Sequence, residues 1–343
     1  MTVSDGDGLL ELLDRQTLLK TGVGFVLAAV ILYLLARGIG IEAIRQELAG
    51  ARLRWLALGC LSTAVGLVAW AKAWQVVLGV VGIPVRFRKL VVTYYAATFA
   101  NYVTPLGQAG GEPFIAYVLA RDTEASYEDS LASVVTADLL NLLPFFTFAA
   151  IGTAVLFVRT TLPDEVRGVA VALVVFAVGV PAGAAAGWRI RRRLGRLVLG
   201  VVAPVARRTR FVTVEGIRRR LSELNEAFER IAADPRALVH ALVYSYVGWL
   251  FFALPLYFAA LTVGEPVALL LVFFIVPAST LAGLTPSPGG LGGVTAALVA
   301  LLGVLAGFSS ATGYAVATVY RLASYWFAVG VGGIAALWVV ART

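Results

Sequence analysis

One cysteine, one histidine and three lysines in 343 residues leave little for redox, metal or nucleotide chemistry to use. Cys60 by itself closes no intrachain disulfide and builds no thiolate metal site. His240 by itself rules out a multi-histidine centre, and its place at the mouth of an apolar stretch reads as an interfacial residue, so neither a metal nor another cofactor is expected. Lys20, Lys72 and Lys89 follow Leu, Ala and Arg, so no lysine stands after the glycine that a phosphate-binding loop requires. Charge is scarce too. Only 14% of residues are Asp, Glu, Lys or Arg, against 60% hydrophobic and a mean hydropathy of +0.87, which excludes an ordinary soluble domain.

What is present in quantity is membrane-length apolar sequence. A hydrocarbon core of about 30 Å takes about 20 apolar residues per helical crossing. Residues 18–36, charged only at Lys20 near the start, and residues 168–188, without charge, are such runs. Residues 55–81, 130–158, 237–263 and 311–340 are longer and carry Lys72, Asp138, the edge residue His240 and Arg321. The composition and these six spans predict an all-α integral membrane protein, a polytopic helical bundle. The first span is preceded by Asp5, Asp7, Glu11 and Asp14 and followed by no small-residue cleavage site, so it reads as a retained helix and not as a signal peptide.

Thirteen arginines lie in residues 189–236, and such an excess is held on the cytoplasmic side. This loop orients the chain in a cell membrane with both termini cytoplasmic, residues 1–17 included. The external loop then holds Arg37, Arg45, Arg52 and Arg54 beside Glu42 and Glu47, a smaller opposing bias. The net charge of +8 is largely this one segment, so membrane lipid, and not nucleic acid, is the expected partner. Within it Val214, Ile217, Leu221, Leu224, Phe228 and Ile231 recur at steps of three and four, predicting an amphipathic helix whose basic face holds anionic headgroups.

Two further apolar stretches are broken in the middle. Residues 90–120 are interrupted by the run from Asn101 through Thr104, Pro105, Gly110, Gly111 and Glu112 to Pro113. Residues 267–308 are interrupted by Thr285-Pro-Ser-Pro288-Gly289-Gly290-Leu-Gly-Gly293. Glycine and proline at this density end helices, and exposed backbone is tolerated at membrane depth only inside protein or against a wet cavity. Both stretches therefore read as broken or re-entrant hairpins. The order span, span, hairpin, span then describes residues 18–158 and again residues 168–340, with the second copy starting from the opposite face. That is an inverted repeat, whose broken helices characteristically meet near the midplane around a substrate.

Each break opens a new helix whose free N–H groups and positive dipole end suit phosphate or another anion. Charges within spans cost about 2.5–3.5 kcal/mol each and need a partner or a purpose. Asp138 and Arg321 each lie roughly 12–15 Å along their helices, entering from opposite faces, which predicts a cluster with Asn141 beside Asp138 and with Tyr320 and Tyr325 flanking Arg321. A buried ion pair tying the two halves together and a headgroup contact are both compatible with that cluster. Glu112 is either a protonatable coupling group or the carboxylate of a helix start. Lys72, nine residues from a helix end, reads as snorkelling. Trp70, Trp74, Tyr94 and Tyr95 read as packing or interfacial aromatics.

Asn101, Pro105, Gly110, Gly111 and Glu112, with Phe114 and Tyr117, and then Pro288, Gly289, Gly290, Leu291 and Gly292, resemble the two signatures of the lysylphosphatidylglycerol synthase transmembrane, or flippase-like, superfamily. The resemblance covers most of the chain and implies a stand-alone member. It implies flipping of a lipid or lipid-linked headgroup, as of aminoacylated phosphatidylglycerol, and the residues just named are where the helix starts read above would take an anionic, phosphate-bearing substrate. Where family members often carry an acid after the second signature, Thr295 stands here. Residues 189–236 are too few for the synthase domain, so aminoacylation, and enzymatic activity in general, is not expected. A membrane-embedded transferase using Glu112 or Asp138, and a small-solute secondary transporter, are the two rival readings.

Overall fold

A computed structural model describes residues 15–103, 116, 119–120, 126–159, 214–284 and 287–340, with scattered helical positions between 167 and 193. Among the described residues there is no strand. Helix α1 (Arg15–Ile39) ends at Gly40, whose φ of 108° is costly for any other residue, and the chain turns through 87° into the short α2 (Ile41–Ala49). Helix α3 (Leu53–Val80) stops at Gly82, φ 79°, where the Ile83 N–H donates to the Leu78 carbonyl at 3.0 Å to close the helix end. Helix α4 covers Phe87–Val103 and α5 Tyr127–Arg159; Ser126 Oγ caps α5 by accepting from the Asp129 N–H at 3.0 Å. The amphipathic α6 (Val214–Ala232) is followed by Asp234, which caps α7 (Pro235–Val263) with proline at its first position.

Beyond the Gly264 turn, α8 (Leu269–Leu281) leads through the second break to α9 (Leu291–Ala306). Helix α10 (Ser310–Arg321), capped by Ser309, continues through a π-helical turn at Leu322–Trp326 into α11 (Phe327–Val340). Five helical stretches, Leu53–Val80, Tyr127–Leu156, Pro235–Val263, Pro288–Ala306 and Ser310–Val339, are long and apolar enough to cross a bilayer, and the bent α1–α2 pair makes a sixth. The protein is thus a multi-pass helical membrane protein. The two arms of the second hairpin are unequal: the one that opens at Pro288 is 19 residues, about 28 Å, whereas α8 is 13 residues, about 20 Å.

The helices partition into two compact units, and α3, α4 and α7 supply residues to both. The first unit comprises Met1–Thr63, Tyr95–Gly111 and Ala253–Thr343. Its helices approach closely where residues are small, as membrane packing requires in the absence of a hydrophobic drive between helices. A Cβ on Gly292 of α9 would stand 3.0 Å from Ile31 of α1, and one on Gly59 of α3 would stand 3.0 Å from Ala323 in the π turn. Four residues on, Thr63 Oγ1 donates to the Ala323 carbonyl at 2.9 Å. Helix α2 packs on the start of α10, where Thr312 Oγ1 donates to Glu47 at 2.9 Å.

The second unit comprises Ala64–Tyr94 and Glu112–Phe252. Its core is aromatic: Trp70 packs against Trp249 and Phe252 with centroids 5.5 and 5.2 Å apart, and Phe145 meets Trp249 at 5.1 Å. Trp70 fits only because residue 248 has no side chain, since a Cβ there would fall inside the indole ring. Gly248→Leu is expected to force Trp70 out and to cost about 1–3 kcal/mol of overpacking, lowering the melting temperature in detergent. Unchanged melting would mean that α3 and α7 are not in this contact. Helix α6 lies along α5, with Ala227 and Ile231 buried beneath it and an Arg230–Asp129 ion pair at its end.

Candidate functional site

The second break is built by two successive left-handed residues, Gly289 (φ 53°) and Gly290 (φ 60°), immediately before α9. Neither has room for a side chain: a Cβ on Gly289 would overlap the Tyr325 ring, and one on Gly290 would overlap Gly283. The glycines therefore bring backbone directly against Tyr325. The Gly289 carbonyl accepts a 2.8 Å hydrogen bond from a terminal nitrogen of Arg321.

Arg321 ends α10, eleven residues after Ser310 and so about 16 Å along a 30-residue apolar stretch. Its guanidinium carbon lies 4.5 Å from the centroid of Tyr325, four residues on, a cation–π arrangement. Tyr325 stacks in turn on Tyr102 of α4, centroids 5.2 Å apart at 19°, and its hydroxyl donates to the Tyr102 carbonyl at 3.1 Å. Tyr320, the residue before Arg321, is 3% exposed. The Arg321 Nε is buried and donates to nothing among the described residues, and no described carboxylate pairs with this arginine. The π turn follows Arg321 directly. Such turns interrupt helices frequently at functional sites.

Comparison with known proteins places the whole helical region in one family. Residues 22–332 match the lysylphosphatidylglycerol synthase TM region. The chain belongs to that family. It is also similar, end to end, to UPF0104 membrane proteins of archaea. Two from Methanothermobacter thermautotrophicus are 27% and 28% identical, over 93% and 95% of this chain and 95% and 94% of the relatives. One from Pyrococcus horikoshii is 24% identical over 92% of this chain and 95% of its own length.

In this member of the synthase TM family, the residues singled out from sequence fall into three groups. Asn101, Pro288, Gly289, Gly290, Tyr320 and Arg321 all belong to the first unit, and Asn101 Oδ1 is buried without a described donor. Asp138 and Asn141 belong to the second. There Trp74 Nε1 donates to Asp138 at 3.1 Å, Trp74 meets Tyr94 edge-on at 4.7 Å, and Asn141 Oδ1 is buried without a described partner. Thr104, Pro105, Gly110, Gly111 and Glu112 lie outside the described residues. Thr295, at the place of the family's acid, is buried and spends its hydroxyl on the Leu291 carbonyl of its own helix at 2.7 Å.

Tyr325 was expected to flank Arg321, and Tyr102, which stacks on it, is the site residue that sequence reasoning missed. Tyr102 adjoins Asn101 at the edge of the first break, and Tyr325 lies one helical turn past Arg321. An aromatic beside a break, and one at i+4 from a buried cation, are the signals that point to them.

Proposed function

We propose that this protein translocates a lipid or lipid-linked headgroup across the plasma membrane, taking an anionic, phosphate-bearing headgroup at Arg321. The observation that carries the reading is the state of that arginine. It is deep in an apolar helix, braced by a neutral carbonyl and an aromatic ring, with Nε left over and no described carboxylate to neutralise it. A structural ion pair satisfies itself and needs no ligand, whereas this guanidinium keeps charge and a donor in reserve for a phosphate oxygen. The Gly289 carbonyl is a weak enough acceptor to be exchanged for a phosphodiester and strong enough to hold the side chain once the headgroup has left. That balance suits transport, where a site must bind and also release.

The inverted-repeat reading supports the same role, because the two broken hairpins occur at corresponding places in the halves 18–158 and 168–340. Cytoplasmic termini follow from the thirteen arginines of 189–236. No covalent step is required of the protein. In proteoliposomes, a fluorescent phosphatidylglycerol in the inner leaflet is expected to become accessible to an external quencher faster than in protein-free vesicles, and faster than the matching phosphatidylcholine. Equal rates with and without protein, for every anionic headgroup offered, would sink the proposal.

A further inference from the structure

We propose that the α3–α4 turn is a second binding site, for the phosphate headgroup of an anionic phospholipid in the leaflet that this turn faces. Lys72 lies eight residues before the end of α3, about 12 Å along the helix, but its side chain runs toward the turn. Its ammonium donates to Gln75 Oε1 at 2.7 Å and lies 5.2 Å from the centroid of Phe87, the first residue of α4. Gln75 is itself fixed, because its Nε2 donates to the Val85 carbonyl at 2.9 Å. The ammonium is thus held in one place, half-buried, by an amide oxygen and a ring face. Neither removes its charge.

Nothing nearby in the sequence does so either. Residues 48–111 contain no Asp or Glu, and among the described residues neither Lys72 nor its neighbours Arg86 and Arg88 form an ion pair. Arg86 and Arg88 are exposed on the turn, with Lys89 adding a fourth positive charge to the segment. A cation held half-buried toward the end of α3, with two exposed arginines on the adjoining segment, matches a phosphodiester that enters from the lipid side. A soluble anion would meet the exposed arginines but would have to leave water to reach Lys72. The turn belongs to the second unit and Arg321 to the first, so the site does not depend on the transport proposal.

Native mass spectrometry of the full-length protein in detergent, titrated with phosphatidylglycerol and with phosphatidylcholine of the same chains, tests it. The wild type is expected to bind phosphatidylglycerol in two preferred steps. Lys72→Gln, and separately Arg86→Gln with Arg88→Gln, should weaken one step by about fivefold per charge removed, leaving phosphatidylcholine binding and melting temperature as in wild type. Lys72→Arg should retain it. Arg321→Gln should weaken the other step only, so failure there would count against the transport site and not against this one. Undiminished phosphatidylglycerol binding in both turn variants would overturn the inference, as would an equal loss of both lipids, or displacement of the bound lipid by millimolar glycerol phosphate.

Discussion

Arg321→Ala is expected to bring headgroup translocation down to the rate of protein-free vesicles. The loss follows from what the side chain supplies. A charge-assisted contact to phosphate is worth about 1.5–3 kcal/mol, or roughly 10- to 150-fold. The truncation also strips the Gly289 carbonyl of its donor and leaves Tyr325 without its cation, so some stability goes with it. Arg321→Lys separates the two effects. It keeps the charge but loses the planar fork, and is expected to fold as wild type while translocating at an intermediate rate. If Arg321→Ala folds and translocates normally, the guanidinium is only a brace between α10 and the glycine turn.

Gly289→Val is expected to be the most damaging substitution in the second break. Left-handed backbone costs an L residue about 1–2 kcal/mol, more for a β-branched one. The new side chain would also enter the Tyr325 ring, adding an overpacking penalty of about 1–3 kcal/mol and undoing the stack on Tyr102. Gly307→Val is the matched control: its φ is 73°, yet a Cβ there meets nothing within 4 Å, so only the backbone cost applies. The expected order of melting temperatures is wild type, then Gly307→Val, then Gly289→Val, with translocation lost only in the last. Equal effects would show that the contact with Tyr325 is immaterial.

The spans were legible because their ends are marked by charge and glycine. The stretch read as 55–81 is α3, Leu53–Val80, and that read as 237–263 is α7, Pro235–Val263. The amphipathic helix between the spans was equally clear from its periodicity, and forms Val214–Ala232. Nine-residue α2 was not: Ile41, Ile44 and Leu48 have helical spacing, but the segment is too short and too charged to register as more than a loop. The glycine break before α9 also came from local pattern, whereas the middle of the first break, Thr104 to Pro113, lies outside the described residues. The stack of Tyr325 on Tyr102 did not come from local pattern, because the two are 223 residues apart and only tertiary packing brings them together. The Trp74–Asp138 bond was hidden for the same reason: an indole that reads as a packing residue turns out to be a donor.

The elbow at Gly40 has a mechanical consequence for the arginine. Helix α2 leaves α1 at 87°, and through Glu47 it is tied to Thr312 in the first turn of α10. Tyr314 adds a second tether, its hydroxyl donating to the Leu32 carbonyl of α1 at 3.1 Å. Helix α10 is thereby hung from the α1–α2 elbow. The position of Arg321 is gauged from that elbow, about 16 Å along the helix from its start. A membrane thinner than the helix is long leaves that distance unchanged, so any adjustment falls on the part of the helix beyond Arg321.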